Sequence, residues 1–358
     1  MGFFSPGPPS RGLFRPRGPK SAICLLQRGW SKQLCFVFCD RIVETFFNKN
    51  PIKLYTQEKS VIKALAYFNV FSYPLKKEEI YNFMDCPCDT AGFEKILAYL
   101  CRQEVIYKQE EFYSLQPGAR LAERRRKGNI LAVEKLKTAE KISRFLYRFP
   151  FVRGIAVSGS LSKNYADEQS DIDFFIITKA NRLWIARTLM HIFKKLTFMT
   201  GRQHWFCMNY YIDEQSLEIK EKNIFTAVEI ATVLPLRGEA VFKNFIKENR
   251  WVRDYFPQHL RWNESGAETR GYAIKTVRTI KKEGFAERMN AWLMALTAKR
   301  WKLKSEKRLR SSSGELMGLD AGIHYAKPDP SNLQRKILYR YEKEVDAIVM
   351  GLESLKAV

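Results

Sequence analysis

The chain has 358 residues, of which 46% are hydrophobic, 13% aromatic and 28% charged. This composition predicts a globular protein of two or three domains and excludes a disordered or fibrous chain. Lysine and arginine total 61 against 38 acidic residues, a net charge of +23. Such a charge favours a polyanionic partner (nucleic acid, a nucleoside triphosphate or an anionic membrane) as much as it favours a basic surface without a ligand.

The N-terminal segment and the cysteines bear on the compartment. Residues 1–50 begin with a stretch rich in proline, glycine and arginine, which predicts a poorly structured basic extension. Polar residues interrupt its apolar pieces, so neither a signal peptide nor membrane insertion is predicted. The seven cysteines are an odd number without zinc-site spacing, and Cys86 and Cys88 are the one close pair. Reduced thiols and a cytoplasmic location are therefore expected.

Residues 56–118 combine helical patterns with a hairpin. Apolar residues recur at helical spacing in three segments, residues 61–68, 76–84 and 93–100. Two short apolar runs then flank a polar turn and predict a β-hairpin. This order resembles a winged helix-turn-helix, so DNA binding is one interpretation. The third helix is not basic, and Glu110 and Glu111 at the hairpin tip would repel phosphates. A packing or substrate-positioning module is therefore the favoured interpretation.

A helix over residues 119–150 is predicted to link this module to the segment that carries chemistry. Residues 155–157 form an apolar run typical of a buried strand, and Ser158, Gly159 and Ser160 end it. Glycine lets the backbone approach a ligand closely, and consecutive amides in such a turn can bind an anion. The sequence therefore predicts an anion-binding turn after this strand.

Asp171 and Asp173 open the next predicted strand, residues 174–177. Side chains two residues apart on a strand project to the same side, where two carboxylates repel each other unless a cation lies between them. Mg²⁺ prefers one or two carboxylates together with substrate phosphates. The carboxylate pair and the turn therefore predict a site for a metal and a triphosphate. The alternative is a surface turn with Asp171 as a cap and Asp173 at a strand edge.

Two motifs occur in this segment, Gly159-Ser160 and Ser170-Asp171-Ile172-Asp173. Together they resemble the signature of the DNA polymerase β-like nucleotidyltransferase superfamily, and their spacing is similar to that of the minimal nucleotidyltransferases. The resemblance covers roughly residues 150–220. Members usually have a glycine four residues after the signature serine, where this chain has Asn164. Asparagine is the residue other than glycine that best tolerates a left-handed backbone, so the departure is small.

The resemblance implies metal-assisted transfer of a nucleoside monophosphate from an NTP, such as ATP, to an acceptor, with release of pyrophosphate. Asp171 and Asp173 would bind Mg²⁺ or Mn²⁺, and Gly159 and Ser160 would hold the β- and γ-phosphates. Lys163 lies in the same loop and either contacts a phosphate or is solvated. The acceptor is left open among small molecules, sugars, proteins and RNA, so nucleic acid stays among the partners considered.

The family usually has a third carboxylate on a later strand. After a helix over residues 182–200, the apolar run 205–212 predicts that strand, but its centre holds Asn209, whose neutral carbonyl is a poorer Mg²⁺ ligand. Asp213 at the strand end and Glu218 on a predicted return strand are the other candidates, and each is equally compatible with a surface role. Without a third carboxylate the domain would bind nucleotide and catalyse poorly or not at all.

The rest of the chain is predicted to be helical. Thr226 and Glu229 match a capping box before an apolar helix, so Glu229 is interpreted as a helix cap rather than a catalytic acid. Residues 236–358 are predicted to form a helical region with a basic stretch. A flexible break at residues 311–314 and a turn at residues 327–330 precede its final helix.

These patterns predict an α/β protein. A small mixed-sheet nucleotidyltransferase core over residues 151–235 is flanked by the N-terminal winged-helix-like region and the C-terminal helices. The leading hypothesis is a Mg²⁺-dependent nucleotidyltransferase. One rival is a nucleotide-binding domain without catalysis, and the other is a nucleic-acid-binding regulator that uses the winged-helix-like module and the basic tail.

Overall fold

The computed structural model describes residues 55–197, 207–260, 283–309 and 317–354. The predicted extension at residues 1–50 and the predicted break at residues 311–314 lie outside the described residues. The helices are α1 (Thr56–Asn69), α2 (Lys77–Asn82), α3 (Thr90–Arg102), α4 (Ala119–Leu146), α5 (Gly159–Ser162), α6 (Leu183–Thr197), α7 (Ile224–Thr232), α8 (Glu239–Glu248), α9 (Glu283–Leu309) and α10 (Leu333–Ser354). The strands are β1 (Leu75–Lys76), β2 (Tyr107–Gln109), β3 (Phe112–Ser114), β4 (Val152–Val157), β5 (Asp173–Thr178), β6 (Cys207–Asp213), β7 (Leu234–Arg237), β8 (Gly318–Ala321) and β9 (Tyr325–Asp329).

The N-terminal region contains the three predicted helices, α1 to α3, and the predicted hairpin, β2 and β3. A two-residue strand, β1, was not predicted, and it extends the hairpin to a sheet of order β1-β3-β2. The hairpin begins at Tyr107 because Val105 and Ile106 are buried, 2% and 1% exposed, and pack in the helical core instead. These elements are confirmed, whereas the assignment to the winged-helix class stays a prediction.

The acidic hairpin tip is paired with cations of this chain. Glu110 lies 3.0 Å from Arg126 on α4, and Glu111 lies 3.0 Å from Lys76 in β1. Such exposed pairs contribute at most about 1 kcal/mol each. The tip therefore faces the chain's own basic residues.

A mixed sheet is the centre of the larger part of the fold, as predicted. Among the described residues its strand order is β7-β4-β5-β6-β9-β8, with β5 and β6 parallel and the other neighbours antiparallel. Side chains of β5 alternate between two cores. Phe175 and Ile177 belong to the core that also contains residues of α1 to α3, α7 and α8, and Phe174 and Ile176 belong to the core that contains residues of α4 and α6. Asp173, two residues before Phe175, therefore lies on the same face of the sheet as Phe175.

Three strands of this sheet were not predicted. Strands β7 and β9 contain Pro235 and Pro328, and proline is typical of turns. Residues 327–330 were therefore wrongly interpreted as a turn. Proline cannot donate to a ladder and is confined to edges or unpaired positions. In the described sheet β7 is the edge strand beside β4, and at Pro328 the ladder runs only to β8, because β6 pairs with β9 through Tyr325 and Ala326.

No helix in the described ranges has both the length and the apolar character needed to cross a membrane.

Candidate functional site

The turn after β4 consists of Ser158 and the four-residue helix α5. Gly159 has a φ of +68°, a backbone conformation that favours glycine. A Cβ atom at Gly159 would lie 2.4 Å from Oδ2 of Asp173, so only glycine lets the turn pack against that carboxylate. Asn164 closes the loop with a φ of +56°. The left-handed conformation expected where relatives have glycine is thereby confirmed. We call residues 158–164 the signature loop.

Asp171 and Asp173 lie on either side of Ile172 at the start of β5. Ile172 is only 3% exposed, whereas the two aspartates are half-buried. Because alternate residues of an extended chain point to opposite sides, the two carboxylates share the side away from Ile172. The Ser158 amide donates to the Asp173 carbonyl oxygen over 2.9 Å. The signature loop is therefore tied to the strand that carries the carboxylates.

The surroundings of the Asp173 carboxyl disfavour its charge. Burial, and then the charges of Asp171 and Glu229, raise the pKa of Asp173 from 3.8 to about 7, and hydrogen bonds with Cys207 and Asn209 offset part of this rise. A divalent cation between the carboxylates would relieve the repulsion. The donor set of Asp171 and Asp173 beside a loop of backbone amides fits Mg²⁺ or Mn²⁺, which take carboxylate and phosphate oxygens.

Asn209, on β6, is brought to this site. Its Nδ2 donates to Oδ1 of Asp173 over 2.5 Å, and its Oδ1 accepts from the Cys207 thiol over 2.9 Å. The register between β5 and β6 shifts at this point, between Phe174 and Phe175. Asn209 therefore stabilises the Asp173 carboxylate by donation, and its carbonyl oxygen is engaged elsewhere.

Asp213, another candidate for the third ligand, lies at the opposite end of the parallel strands. Asp173 pairs with Cys207, whereas Asp213 pairs with Thr178, roughly 16 Å further along. Asp213 is fully buried and accepts hydrogen bonds from the Asn181 and Gln215 amides and from His324 Nδ1, at 2.9, 3.0 and 3.0 Å. The structure therefore places Asp213 away from Asp171 and Asp173, where it holds loops together at the far end of the strands.

Glu218, the remaining candidate, is not on a strand. The described chain has no strand between β6 and β7, and Glu218 is exposed and paired with Lys222 at 2.8 Å. Its neighbours Leu217 and Ile219 are buried because Asn249 binds the backbone of both. The apolar-acid-apolar pattern therefore reflects an irregular segment that lies against the core, and the predicted return strand is wrong.

Glu229 is a residue of this site that the sequence reasoning missed. The cap of α7 is Asn223, whose side chain accepts from the Thr226 amide over 3.0 Å, so the assignment of Glu229 as a cap is wrong. Glu229 Oε2 instead accepts from the Gly159 amide over 3.2 Å, and Oε1 accepts from Lys163 Nζ over 2.7 Å. The signal that could have found it is an acid within the buried apolar face of α7.

Two lysines contribute positive charge. Lys163 donates to the Gly159 carbonyl oxygen over 3.0 Å, in addition to its bond with Glu229. Lys135 of α4, which the sequence did not single out, donates to the Ser170 carbonyl oxygen over 2.5 Å. Burial lowers the pKa of Lys135, and the charges of Asp167 and Asp171 oppose that effect. Lys135 therefore lies within electrostatic reach of Asp171. Ser160 is exposed.

The N-terminal region contacts the signature loop directly. The Tyr73 hydroxyl donates to the Lys163 carbonyl oxygen, and the Tyr73 and Tyr165 rings meet edge to face at 5.7 Å. The guanidinium of Arg124, from α4, lies 5.2 Å from the centre of the Tyr165 ring. Residues before the loop in sequence therefore fix the position of its backbone.

Within the described ranges, no group of three or more His, Cys, Asp or Glu side chains is arranged to hold a metal ion. The cysteines of those ranges, Cys86, Cys88, Cys101 and Cys207, are free thiols.

Residues 136–252 match the family model of the nucleotidyltransferase domain. The match begins within α4, includes the signature loop, Asp171, Asp173 and Glu229, and extends beyond the predicted core of residues 151–235 at both ends. It covers about a third of the chain. No curated protein and no solved structure matches the sequence. The chain therefore carries, in residues 136–252, a nucleotidyltransferase domain of the DNA polymerase β-like superfamily.

Proposed function

We propose that this protein is a Mg²⁺-dependent nucleotidyltransferase that moves a nucleoside monophosphate from an NTP to an acceptor and releases pyrophosphate. The observation that supports it most directly is the packing of Gly159 against the carboxylate of Asp173, with 2.4 Å between Oδ2 and the place of a Cβ atom. This contact sets a turn of backbone amides beside two carboxylates at one end of the sheet. A triphosphate with its metal needs both groups.

Each residue has a distinct role in this proposal. Asp171 and Asp173 hold Mg²⁺, for which Mn²⁺ can substitute, and the bound metal neutralises charge that develops on the phosphates. The Gly159 amide and Ser160 bind the β- and γ-phosphates, and the Lys163 ammonium adds a positive charge beside them. Asn209 keeps Asp173 oriented by donating to its Oδ1.

The chemistry is one displacement at phosphorus. An oxygen of the acceptor attacks the α-phosphorus, the bond from that phosphorus to the bridging oxygen breaks, and pyrophosphate leaves with the electron pair. An acceptor hydroxyl loses its proton to solvent in the same step. The acceptor belongs to the small molecules, sugars, proteins or RNA. The net charge of +23 suits any acceptor that carries phosphate.

A second candidate function is nucleotide binding without catalysis. It is favoured by Asn209, which presents a neutral amide to Asp173 where relatives carry an acid, and by Asp213, which lies at the other end of the strands. In such a protein the loop and the two aspartates would still bind a metal and a triphosphate, and no acceptor would be activated.

The neighbouring segments have supporting roles in the proposal. Residues 56–118 form a packing or substrate-positioning module, which the hydrogen bond from Tyr73 to the signature loop supports, and residues 119–150 link it to the core. The region from residue 236 onward was predicted to be helical; it contains α8 to α10 and also contributes β8 and β9 to the mixed sheet. The free thiols of Cys86, Cys88, Cys101 and Cys207 are consistent with a reducing, cytoplasmic location.

Transfer of label from NTPs radiolabelled at the α-phosphate tests the proposal. The protein is incubated with Mg²⁺ and separate acceptor pools of small molecules, sugars, proteins and RNA. Transfer to one pool with release of pyrophosphate, lost in Asp171→Ala/Asp173→Ala, is the expected result. Triphosphate binding without transfer to any pool would favour the non-catalytic alternative, and transfer that survives in the double variant would contradict the assigned site.

A further inference from the structure

Glu229 binds two of the three groups of the signature loop that the proposed function assigns to phosphate, the Gly159 amide and the Lys163 ammonium. Its Oε2 accepts the Gly159 amide over 3.2 Å, and its Oε1 accepts the Lys163 ammonium over 2.7 Å. The Lys163 side chain is only 14% exposed and that of Glu229 is 27% exposed. This ion pair is therefore sheltered, unlike the solvated pairs on the surface, which contribute little.

A carboxylate bound in this way has the recognition chemistry of a phosphate group. Two oxygens of one anion accept from a backbone amide at the start of a helical turn and from an ammonium, which is the donor pattern that binds phosphate oxygens. The single N–H of Gly159 can serve Glu229 or a triphosphate, but not both. The Lys163 ammonium keeps a third N–H to donate, but Glu229 already neutralises its charge. The structure thus contains a competitor for the proposed ligand, supplied by α7.

We infer that Glu229 stands in for a phosphate group in the nucleotide-free protein and is displaced when a triphosphate binds. The inference rests on the proposed function, because it concerns the same loop. Glu229 in this role is a positioning residue: it holds the Lys163 ammonium and the Gly159 amide in place until the nucleotide arrives, and its release is a cost that every triphosphate must meet.

The displaced carboxylate has a second donor nearby. The Tyr67 hydroxyl of α1 is buried, with the residue 1% exposed, and has no hydrogen-bond partner among the described residues. Burial first, and then the charge of Glu229, raise the pKa of Tyr67, so the two groups are within electrostatic reach. A buried hydroxyl without a partner is costly. In this proposal the Glu229 carboxylate that leaves the loop accepts from the Tyr67 hydroxyl, which is the end state of the displacement.

Calorimetric titration with inorganic triphosphate and Mg²⁺ tests this inference, since that probe needs the loop and not a base pocket. Glu229→Gln removes the competing charge and keeps the shape, so binding should tighten about tenfold, the effect of one charge-assisted hydrogen bond. Tyr67→Phe removes the second donor and should weaken binding about fivefold. Tyr67→Phe changes no charge, so it separates displacement from a general effect of negative charge near the loop.

Glu221→Gln is the matched control. It breaks another Lys–Glu pair, in which Glu221 lies 2.5 Å from Lys327, and should leave the affinity unchanged. Equal or weaker binding by Glu229→Gln, with wild-type binding intact, would overturn the inference and leave the proposed function standing. Tighter binding with Tyr67→Phe would also overturn it. No binding by wild type or any variant would remove the proposed function and the inference together.

Discussion

Replacing Asp173 by asparagine should make the metal-free protein more stable at alkaline pH, although the residue belongs to the proposed metal site. Burial and the charges of Asp171 and Glu229 raise the pKa of Asp173 from 3.8 to about 7. Between these values the folded protein holds a proton that the unfolded chain has released. Stability therefore falls as the pH rises from about 4 to about 7 and stays lower above that.

The magnitude follows from the two pKa values. The pKa of Asp173 in the folded protein exceeds that in the unfolded chain by about three. Since a pKa difference of one corresponds to about 1.4 kcal/mol, the folded state loses about 4 kcal/mol of stability at pH 8. Asp173 is half-buried, so water screens part of this cost, and asparagine keeps an acceptor oxygen for the Asn209 amide. We expect Asp173→Asn to raise the free energy of unfolding by about 1 to 3 kcal/mol at pH 8. At pH 4 the gain should be close to zero.

Urea unfolding followed by tryptophan fluorescence, at pH 4.5 and pH 8 in EDTA, measures this difference. Adding Mg²⁺ at pH 8 should stabilise wild type and leave Asp173→Asn unchanged, because a metal that binds only the folded state stabilises it by mass action. Glu218→Gln, which neutralises an exposed carboxylate paired with Lys222, is the control. A variant less stable than wild type at pH 8, or a difference that does not change with pH, would refute the electrostatic reasoning.

Three further substitutions test other parts of the site. Gly159→Ala forces a Cβ atom against Asp173 at a φ of +68°, so it should destabilise the protein by about 1 to 3 kcal/mol and weaken triphosphate binding in calorimetry. Asp213→Ala removes a buried acceptor of three hydrogen bonds, including that from His324, and should lower stability in urea by about 3 kcal/mol without changing triphosphate affinity. Asn209→Asp sets a third carboxylate beside Asp173, so Mn²⁺ affinity, followed by electron paramagnetic resonance, should rise about tenfold while metal-free stability falls.

Each of these has an outcome that would contradict it. Gly284→Ala, at a helical position with no atom within 4 Å of the added Cβ, is the control for Gly159→Ala, and equal effects of the two would remove the argument from the left-handed turn. A loss of triphosphate affinity in a folded Asp213→Ala variant would bring Asp213 back as a site residue. Unchanged Mn²⁺ affinity in Asn209→Asp would show that the metal lies away from β6.

The strands and helices that could be predicted from the sequence are those with a strong local pattern. The helical spacing in residues 56–102, the apolar runs of β4 and β5, and the left-handed Asn164 follow from neighbours in the chain. Strands β7 and β9 could not be predicted in this way, because they contain Pro235 and Pro328. A proline is tolerated in a strand where its nitrogen needs no hydrogen-bond partner, and that depends on the order of the strands in the sheet.

The residues of the site also fall into two groups, those that a local motif brings together and those whose position depends on the tertiary structure. Asp171, Asp173 and Gly159 form one local motif, so their proximity could be inferred. The position of Asp213 depends on the register of two parallel strands, which local alternation does not specify, so its separation from Asp173 could not be predicted. Glu229 comes from a helix 70 residues beyond Gly159. Its pattern with Thr226 mimics a capping box, so the tertiary contact could not be distinguished from a local one.

The most direct test of the central claim is calorimetric titration of ATP, GTP, CTP and UTP, each with Mg²⁺, into wild type and into Asp171→Ala/Asp173→Ala. We predict metal-dependent binding of at least one triphosphate by wild type and its loss in the double variant, and the preferred base would be identified at the same time. If no triphosphate binds to the wild-type protein, or if binding persists without both carboxylates, the signature loop and the aspartates do not form a metal–triphosphate site.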